Sequence, residues 1–273
     1  MAQYKKLLFL GGGNIAGAVA CGLVSSGTVP AEYVTVYDIA PEKLNKFSNL
    51  GINVCTELTE EILEAKYIFL AVKPGIVKTV MQQVSSVAKS LNDSVIVSFA
   101  ASVPISHIIE AAGKEFPVIR TMPSTPILIG QGVLAVCHND FVNQKDFEFF
   151  CRMMSSVAYV TPIEESLMNP IISVHGSSPA YVYLFVKSML DAAEKQGIST
   201  ETALPLILKT VKGSITMIEK ADRPIEQLIN DVASPNGTTL AALNSFASDD
   251  FSGSVERAMD ACTKRANEIS NEL

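Results

Sequence analysis

Apolar and polar positions in the first 162 residues fall into two alternating periods. Short apolar runs at residues 7–10, 34–37, 53–55, 67–72, 95–99, 117–120, 132–136 and 158–161 read as strands, the last of them closing a sheet. Helical spacing fills the gaps. It covers residues 14–25, residues 42–50 behind Pro41, a segment opened by Thr59 with Glu60 and Glu61, residues 104–112, and the stretch carrying Phe147, Phe150, Cys151 and Met154. The clearest helix holds Val77, Val80, Met81, Val84, Val87, Ala88 and Leu91 at helical intervals, one face turned to the sheet. Strands alternating with helices predict an α/β fold with a doubly wound parallel sheet. The unbroken apolar character of 67–72 predicts a strand buried on both faces.

After Pro162 the strand signal vanishes. Residues 168–196, stopped by Gly197, and residues 200–221, 224–232, 238–246 and 255–269 carry helical patterns. The expected organisation is a Rossmann-type domain at 1–162 followed by an all-helical domain at 163–273, and a length of 273 residues fits two domains. Two uncharged stretches, 7–31 and 166–186, imitate export or membrane signals. The first contains three consecutive glycines and Asn14, which break the continuous apolar helix of a signal segment. The second contains Asn169, Pro170, His175 and Pro179, which would leave backbone groups unsatisfied in lipid, so it reads as a buried helix with an interrupted start.

Hydrophobic residues make up 48% of the chain and charged residues 18%, which predicts a well-filled core and no disordered tract. The net charge of −7 argues against nucleic acid and anionic membrane surfaces as partners. Cys21, Cys55, Cys137, Cys151 and Cys262 form no CxxC pair, and His107, His138 and His175 are scattered, so no metal is expected and the thiols read as reduced, in a cytoplasmic protein.

The chemistry begins where the first strand runs into Gly11, Gly12, Gly13, Asn14, Ile15 and Ala16, a Gly-x-Gly-x-x-Ala turn that opens a helix. Gly11 suits the tight turn, Gly13 lets a pyrophosphate approach the backbone, and small Ala16 lets helix and strand pack closely, with the phosphates on the amino end of the helix. Asp38 ends the second strand. It is either an acceptor for a ribose hydroxyl, which favours NADH, or a helix-opening residue before Pro41; Lys43 and the helix start at Pro41 offer compensation for the 2′-phosphate of NADPH. Ala71, Val72, Lys73 and Pro74 end the fourth strand at the carboxyl edge, where ligands of such folds bind, and Lys73 there is either a ligand contact or a solvated lysine. Residues 120–126, with Met122 and Pro123, leave a later strand at a similar edge on a proline-stiffened loop. In the second half, Ser234, Pro235, Asn236, Gly237, Thr238 and Thr239 form a small-residue turn into a helix, either a carboxylate-binding nest of amides and hydroxyls or a plain helix start.

Segments 11–16, 71–74, 120–126, 176–181 and 234–239, in this order and over essentially the whole chain, resemble the pyrroline-5-carboxylate reductase family. Several positions depart from the family pattern. Asn236 stands for the first glycine of Ser-Pro-Gly-Gly-Thr-Thr, Ser124 for the asparagine of Met-Pro-Asn-Thr-Pro, and Ser178 for the middle glycine of Gly-Ser-Gly-Pro-Ala-Tyr. Ser102 replaces the glycine of Ala-Ala-Gly, and Lys187 occupies a position that is commonly acidic, which alters interface electrostatics.

The resemblance implies hydride transfer from a reduced nicotinamide to the C=N carbon of a cyclic imine carboxylate, giving proline. It implies NADP(H) as the default cofactor, with NAD(H) open through Asp38. Met122 and Pro123 join Gly11, Gly13, Asn14, Ile15, Ala16, Asp38, Ala71, Val72, Lys73 and Pro74 in the cofactor site. On this resemblance Ser234, Gly237 and Thr238 would hold the substrate carboxylate and Thr239 would contact the ring nitrogen, with Thr238 and Thr239 nearest the chemistry. The helical domain would interlock with a partner subunit. Two other readings share the architecture: a 3-hydroxyacid-type dehydrogenase using Lys73 as proton carrier, and a non-catalytic dinucleotide sensor. An S-adenosylmethionine methyltransferase shares only the glycine turn and the acid.

Overall fold

The computed structural model describes residues 4–59, 64–87 and 93–273. The expected helix start at Glu60 and Glu61, and the Ala88 and Leu91 positions, lie outside the described residues. The chain divides into two compact units, one of residues 1–177 with 262–273 and one of residues 178–261.

The first unit is built on eight strands: β1 (Leu7–Leu10), β2 (Val34–Tyr37), β3 (Asn53–Cys55), β4 (Tyr67–Leu70), β5 (Val95–Ser98), β6 (Val118–Pro123), β7 (Gly132–His138) and β8 (Ala158–Pro162). Their order is β3-β2-β1-β4-β5-β6-β7-β8, parallel from β3 through β6. The first six follow the Rossmann order, with the reversal between β1 and β4. β7 runs against β6, because residues 124–131 are too short a connection for a parallel crossover, and β8 lies parallel to β7 at the edge. All four residues of β1, of β4 and of β5 are buried, the mark of strands covered on both faces.

Leu7 and Phe9 point into one apolar cluster with α1 (Asn14–Ser25), while Leu8 and Leu10 point into the other. α2 (Asn45–Ser48) and α3 (Val77–Val87) follow in chain order, then α4 (Ile105–Ala112) and α5 (Gln144–Met154). α3 and α4 cover the face of Leu8 and Leu10; α1 and α5 cover the face of Phe9, where Phe9 and Phe69 stack at 4.3 Å.

Three expectations are corrected. Residues 42–50 are not one helix but a 3-10 turn, Pro41–Lys43, and the single turn of α2; only Leu44 and Phe47 reach the core, and Gly51 at φ 74° ends the segment. The long helix at 168–196 is broken into a π-helical turn, Ile172–Gly176, and α6 (Ser178–Lys195). Pro170 and Pro179 donate no backbone hydrogen bond, and Ser177 N reaches back to Ile172 O at 2.8 Å. The later part of the 166–186 stretch is not buried in this chain: Tyr183 and Leu184 are 63% and 67% exposed.

Residues 163–177 also belong with the sheet rather than with the helices that follow. Met168 is buried in the second cluster, and Glu165 and Asn169 hold the buried Arg120. The change of element type after β8 and the change of packing partner therefore fall at different places.

The second unit holds α6, α7 (Thr200–Lys220), α8 (Ile225–Val232), α9 (Thr238–Ser248) and the first half of α10 (Phe251–Glu272), whose last turns return to the first unit. α6 packs along α7. Within this unit only Ala203 and Ile207 are buried, while Leu206, Met217, Val232 and Phe246 join Tyr183 and Leu184 at the surface. Two buried residues cannot offset the conformational entropy of five helical segments. Apolar surface on this scale is what a protein interface covers. Among the described residues, no helix is long and apolar enough to cross a membrane.

Candidate active site

Parallel pairing sets the loops after β1, β2, β4 and β5 at one edge of the sheet: Leu10 pairs with Tyr37 and with Leu70, and Leu70 with Ser98. At the β1/β4 crevice the two strand ends meet closely. Gly11 has φ 107°, its N–H donates to Tyr37 O at 2.7 Å, and a Cβ there would stand 2.7 Å from the Ala71 carbonyl oxygen and 3.1 Å from Val72 Cγ1. Gly11 is thus required by the approach of the Ala71 backbone and the Val72 side chain. Gly13 is different. It is the N-cap of α1 at φ −69° and ψ −169°, no side chain caps the helix, and a Cβ there would meet nothing within 4 Å. An uncapped helix end beside open space is suited to a phosphate group. Asn14 is exposed, Ile15 half-buried and Ala16 fully buried against the sheet, as close strand–helix packing requires.

Asp38 is buried and its carboxylate faces donors of the chain itself. Oδ2 accepts from Gly12 N at 2.8 Å, Oδ1 accepts from Ala40 N at 2.9 Å, and Lys43 Nζ lies 3.3 Å from both oxygens. Those contacts occupy about the four acceptor positions of a carboxylate. Burial pushes the Asp38 carboxyl up, yet the Gly12 and Ala40 amides and the Lys43 ammonium outweigh it and hold the group below its ordinary value. The same carboxylate thus ties the glycine turn after β1 to the backbone that follows β2. Lys46 carries no signal in the sequence pattern. Its Nζ donates to Gly13 O at 3.0 Å and lies 4.9 Å from the Phe47 ring centre. No local period marks a contact between positions 33 apart.

Further along the edge, Ala71 and Val72 are half-buried and Lys73 is exposed, ahead of a 3-10 turn that starts at Pro74. Met122 and Pro123 end β6, beyond the last residue paired to β5. There His175 Nε2 lies 2.7 Å from the Met122 carbonyl oxygen, so an imidazole of the π-helical turn occupies the unpaired strand edge. Ser124 serves the fold: its N–H donates to Val133 O and its Oγ accepts from Val133 N, each at 2.9 Å.

The remaining candidates lie in the second unit. Asn236 takes φ 59°, the left-handed conformation that the family's glycine would adopt freely, and asparagine tolerates it. Gly237 is the N-cap of α9, its N–H donating to Ser234 O at 3.0 Å, and no side chain caps the helix. A Cβ on Gly237 would collide with the Ser234 hydroxyl. Ser234 and Thr238 are exposed and Thr239 is half-buried, so two hydroxyls and the first amides of α9 are open to an anion. Lys187 is neutralised within its own helix by Asp191, with Nζ 2.7 Å from Oδ2.

Comparison with known proteins matches the two halves of the chain to two different family descriptions. Residues 165–269 match the family profile described as pyrroline-5-carboxylate reductase dimerisation, and residues 6–102 match one described as NADP oxidoreductase, coenzyme F420-dependent. The pyrroline-5-carboxylate reductase of Escherichia coli is 34% identical over 97% of this chain and 98% of its own length. That of Pseudomonas aeruginosa is 34% identical over 98% of each. The crystal structure of Plasmodium falciparum pyrroline carboxylate reductase with NADP bound superposes with a TM-score of 0.88 at 31% identity, covering 97% of this chain and 98% of that one. The exposed apolar helices fall within the dimerisation match, which makes the second unit a self-association unit. With both halves of the chain matched in order and its relatives covered almost end to end, the chain belongs to the pyrroline-5-carboxylate reductase family.

Proposed function

We propose that this chain reduces 1-pyrroline-5-carboxylate to L-proline with NADPH or NADH, the last step of proline biosynthesis. The observation that carries the reading is the uncapped amino end of α1 beside the open face of Gly13, at the strand-order reversal of a chain from this family. Gly11, Gly13, Asn14, Ile15 and Ala16 would hold the pyrophosphate, with Ala71, Val72, Lys73, Pro74, Met122 and Pro123 along the rest of the edge. The bound dinucleotide supplies the hydride.

The chain's own task is alignment, since an iminium carbon is already a strong electrophile. Amides and hydroxyls of Ser234, Gly237 and Thr238 take the substrate carboxylate. Thr239 Oγ1 accepts the ring N–H, which fixes the face presented for reduction. When the hydride adds to C5 the C=N electron pair moves onto nitrogen, and no side chain has to supply a proton to the iminium at that moment. No paired catalytic acid and base is needed, and Thr238 and Thr239 orient the reacting ring.

In this division of labour, 1–162 serves the cofactor, and 163–273 serves substrate and assembly. Because Lys43 neutralises Asp38, the acid does not bar a 2′-phosphate, and both cofactor forms are accepted, NADPH in preference. Five unpaired cysteines support a reducing, cytoplasmic setting. The test is direct: NADPH or NADH absorbance is followed in the presence of pyrroline-5-carboxylate. Oxidation dependent on the imine is expected, and a folded sample that oxidises neither cofactor refutes the reading.

A further inference from the structure

We propose that Ser270, in the last turn of α10, is a positioning residue for the 99–103 loop at the cofactor edge, acting through a closed ring of hydrogen bonds anchored on Arg120. The inference rests on the dinucleotide reading above.

The ring starts from a buried guanidinium. Arg120 Nη1 donates to Glu165 Oε1 at 3.2 Å, and that oxygen also accepts from Ile105 N, the first amide of α4, at 2.8 Å. Arg120 Nη2 donates to Asn169 Oδ1 at 2.7 Å. Asn169 Nδ2 in turn donates to Ser270 Oγ at 2.9 Å, and Ser270 Oγ donates to Ser102 O at 2.6 Å. Residues 103 and 104 of the chain close the circuit between Ser102 and Ile105. Ser102, Arg120 and Ser270 are all buried, so these bonds form away from competing water.

The ring ends on the one residue of this loop with a disfavoured backbone. Ser102 has φ 63°, where a side chain is opposed by sterics that correspond to about a tenfold change in an equilibrium. A glycine adopts that φ freely. The bond from Ser270 to the Ser102 carbonyl is placed to hold the strained conformation. The loop it holds follows β5, whose neighbour β4 leads into Ala71, Val72, Lys73 and Pro74 at the same edge. A bond that only stabilises the fold would change melting and leave ligand affinity alone; a bond that sets the loop changes dinucleotide affinity and is made dispensable by glycine at 102.

The experiment uses the full chain and nicotinamide fluorescence titrations with NADPH and NADH. S270A, S102G and the double variant are compared with wild type, alongside melting curves and the KM for pyrroline-5-carboxylate. We expect S270A to weaken dinucleotide binding about tenfold with the imine KM within about twofold of wild type. S102G should bind like wild type, and S270A/S102G should recover to within about twofold of it. Unchanged affinity in S270A, or a double variant as weak as S270A, overturns the proposal. If S270A does not fold, S270C, which keeps the size but replaces the hydroxyl with a weak thiol donor, must show the same loss and the same rescue; wild-type affinity there also overturns it. A wild type that binds neither dinucleotide instead overturns the cofactor reading, and this inference with it.

Discussion

Gly11 and Gly13, two residues apart in one motif, are expected to fail in opposite ways when given a methyl group. At Gly11 the methyl would sit 2.7 Å from the Ala71 carbonyl oxygen, a backbone atom that yields only if the β1 and β4 ends part, and φ 107° is itself unfavourable for alanine. Overpacking and backbone strain each cost about 1–3 kcal/mol, so Gly11→Ala should lose about 3 kcal/mol of stability. At Gly13 φ is −69° and the methyl meets nothing within 4 Å. The weaker N-cap and the reduced freedom of the unfolded chain nearly cancel, and stability should stay within about 0.5 kcal/mol of wild type. The methyl would instead occupy the space a pyrophosphate needs, and NADPH affinity should fall at least about tenfold, or about 1.4 kcal/mol. Urea unfolding at fixed protein concentration and fluorescence titration measure the two effects separately. Gly11→Ala with wild-type stability would refute the close-approach argument. Gly13→Ala with wild-type affinity would refute the phosphate site.

Thr239→Val should lower kcat/KM for the imine by about 10²-fold, the loss expected when a charged group loses a hydrogen bond worth about 2–3 kcal/mol; wild-type kcat/KM removes Thr239 from the site. The folded-state pKa of Asp38 lies below its ordinary 3.8, so its contribution to stability is present above that pH and disappears as pH falls through the lower folded value. Asp38→Asn should therefore be less stable than wild type near neutrality, with the gap closing in acid; a gap that widens as pH drops contradicts the assignment. Lys43→Ala uncovers the Asp38 carboxylate and should shift the ratio of NADPH to NADH affinity toward NADH by about tenfold, as judged by paired titrations. Leu184→Asp with Leu206→Asp should raise the concentration at which the assembly dissociates in analytical ultracentrifugation, and an unchanged sedimentation profile would place the interface elsewhere.

Legibility in the sequence followed the range of the interactions. The limits of β1 and α1 were readable because four consecutive apolar residues, a glycine break and a 3.6-residue period are local properties. Residues 42–50 carry a helical pattern, but only Leu44 and Phe47 reach the core and Gly51 turns the chain at φ 74°, so a single turn of helix forms. The pattern sets Asp38 at the end of β2 but does not show its donors, the Gly12 amide and the Lys43 ammonium. The Arg120 ring joins positions as far as 168 apart and repeats with no period. The contact of His175 with Met122 depends on a π turn that sequence spacing does not reveal.

A helical unit with two buried residues per chain also has a genetic consequence. When a core is completed by pooling surfaces from separate polypeptides, the fate of each copy depends on the allele that encodes its neighbour. In a cell expressing a functional chain and one with a defective helical unit, random pairing makes mixed assemblies more numerous than either pure kind. A substitution that keeps the exposed leucines of α6, and so the pairing, but disables the rest of the helical unit should then suppress activity in trans, whereas one that abolishes pairing should not. An equally destabilising substitution in the Rossmann core, which unfolds its own chain before pairing, should behave as a simple recessive loss.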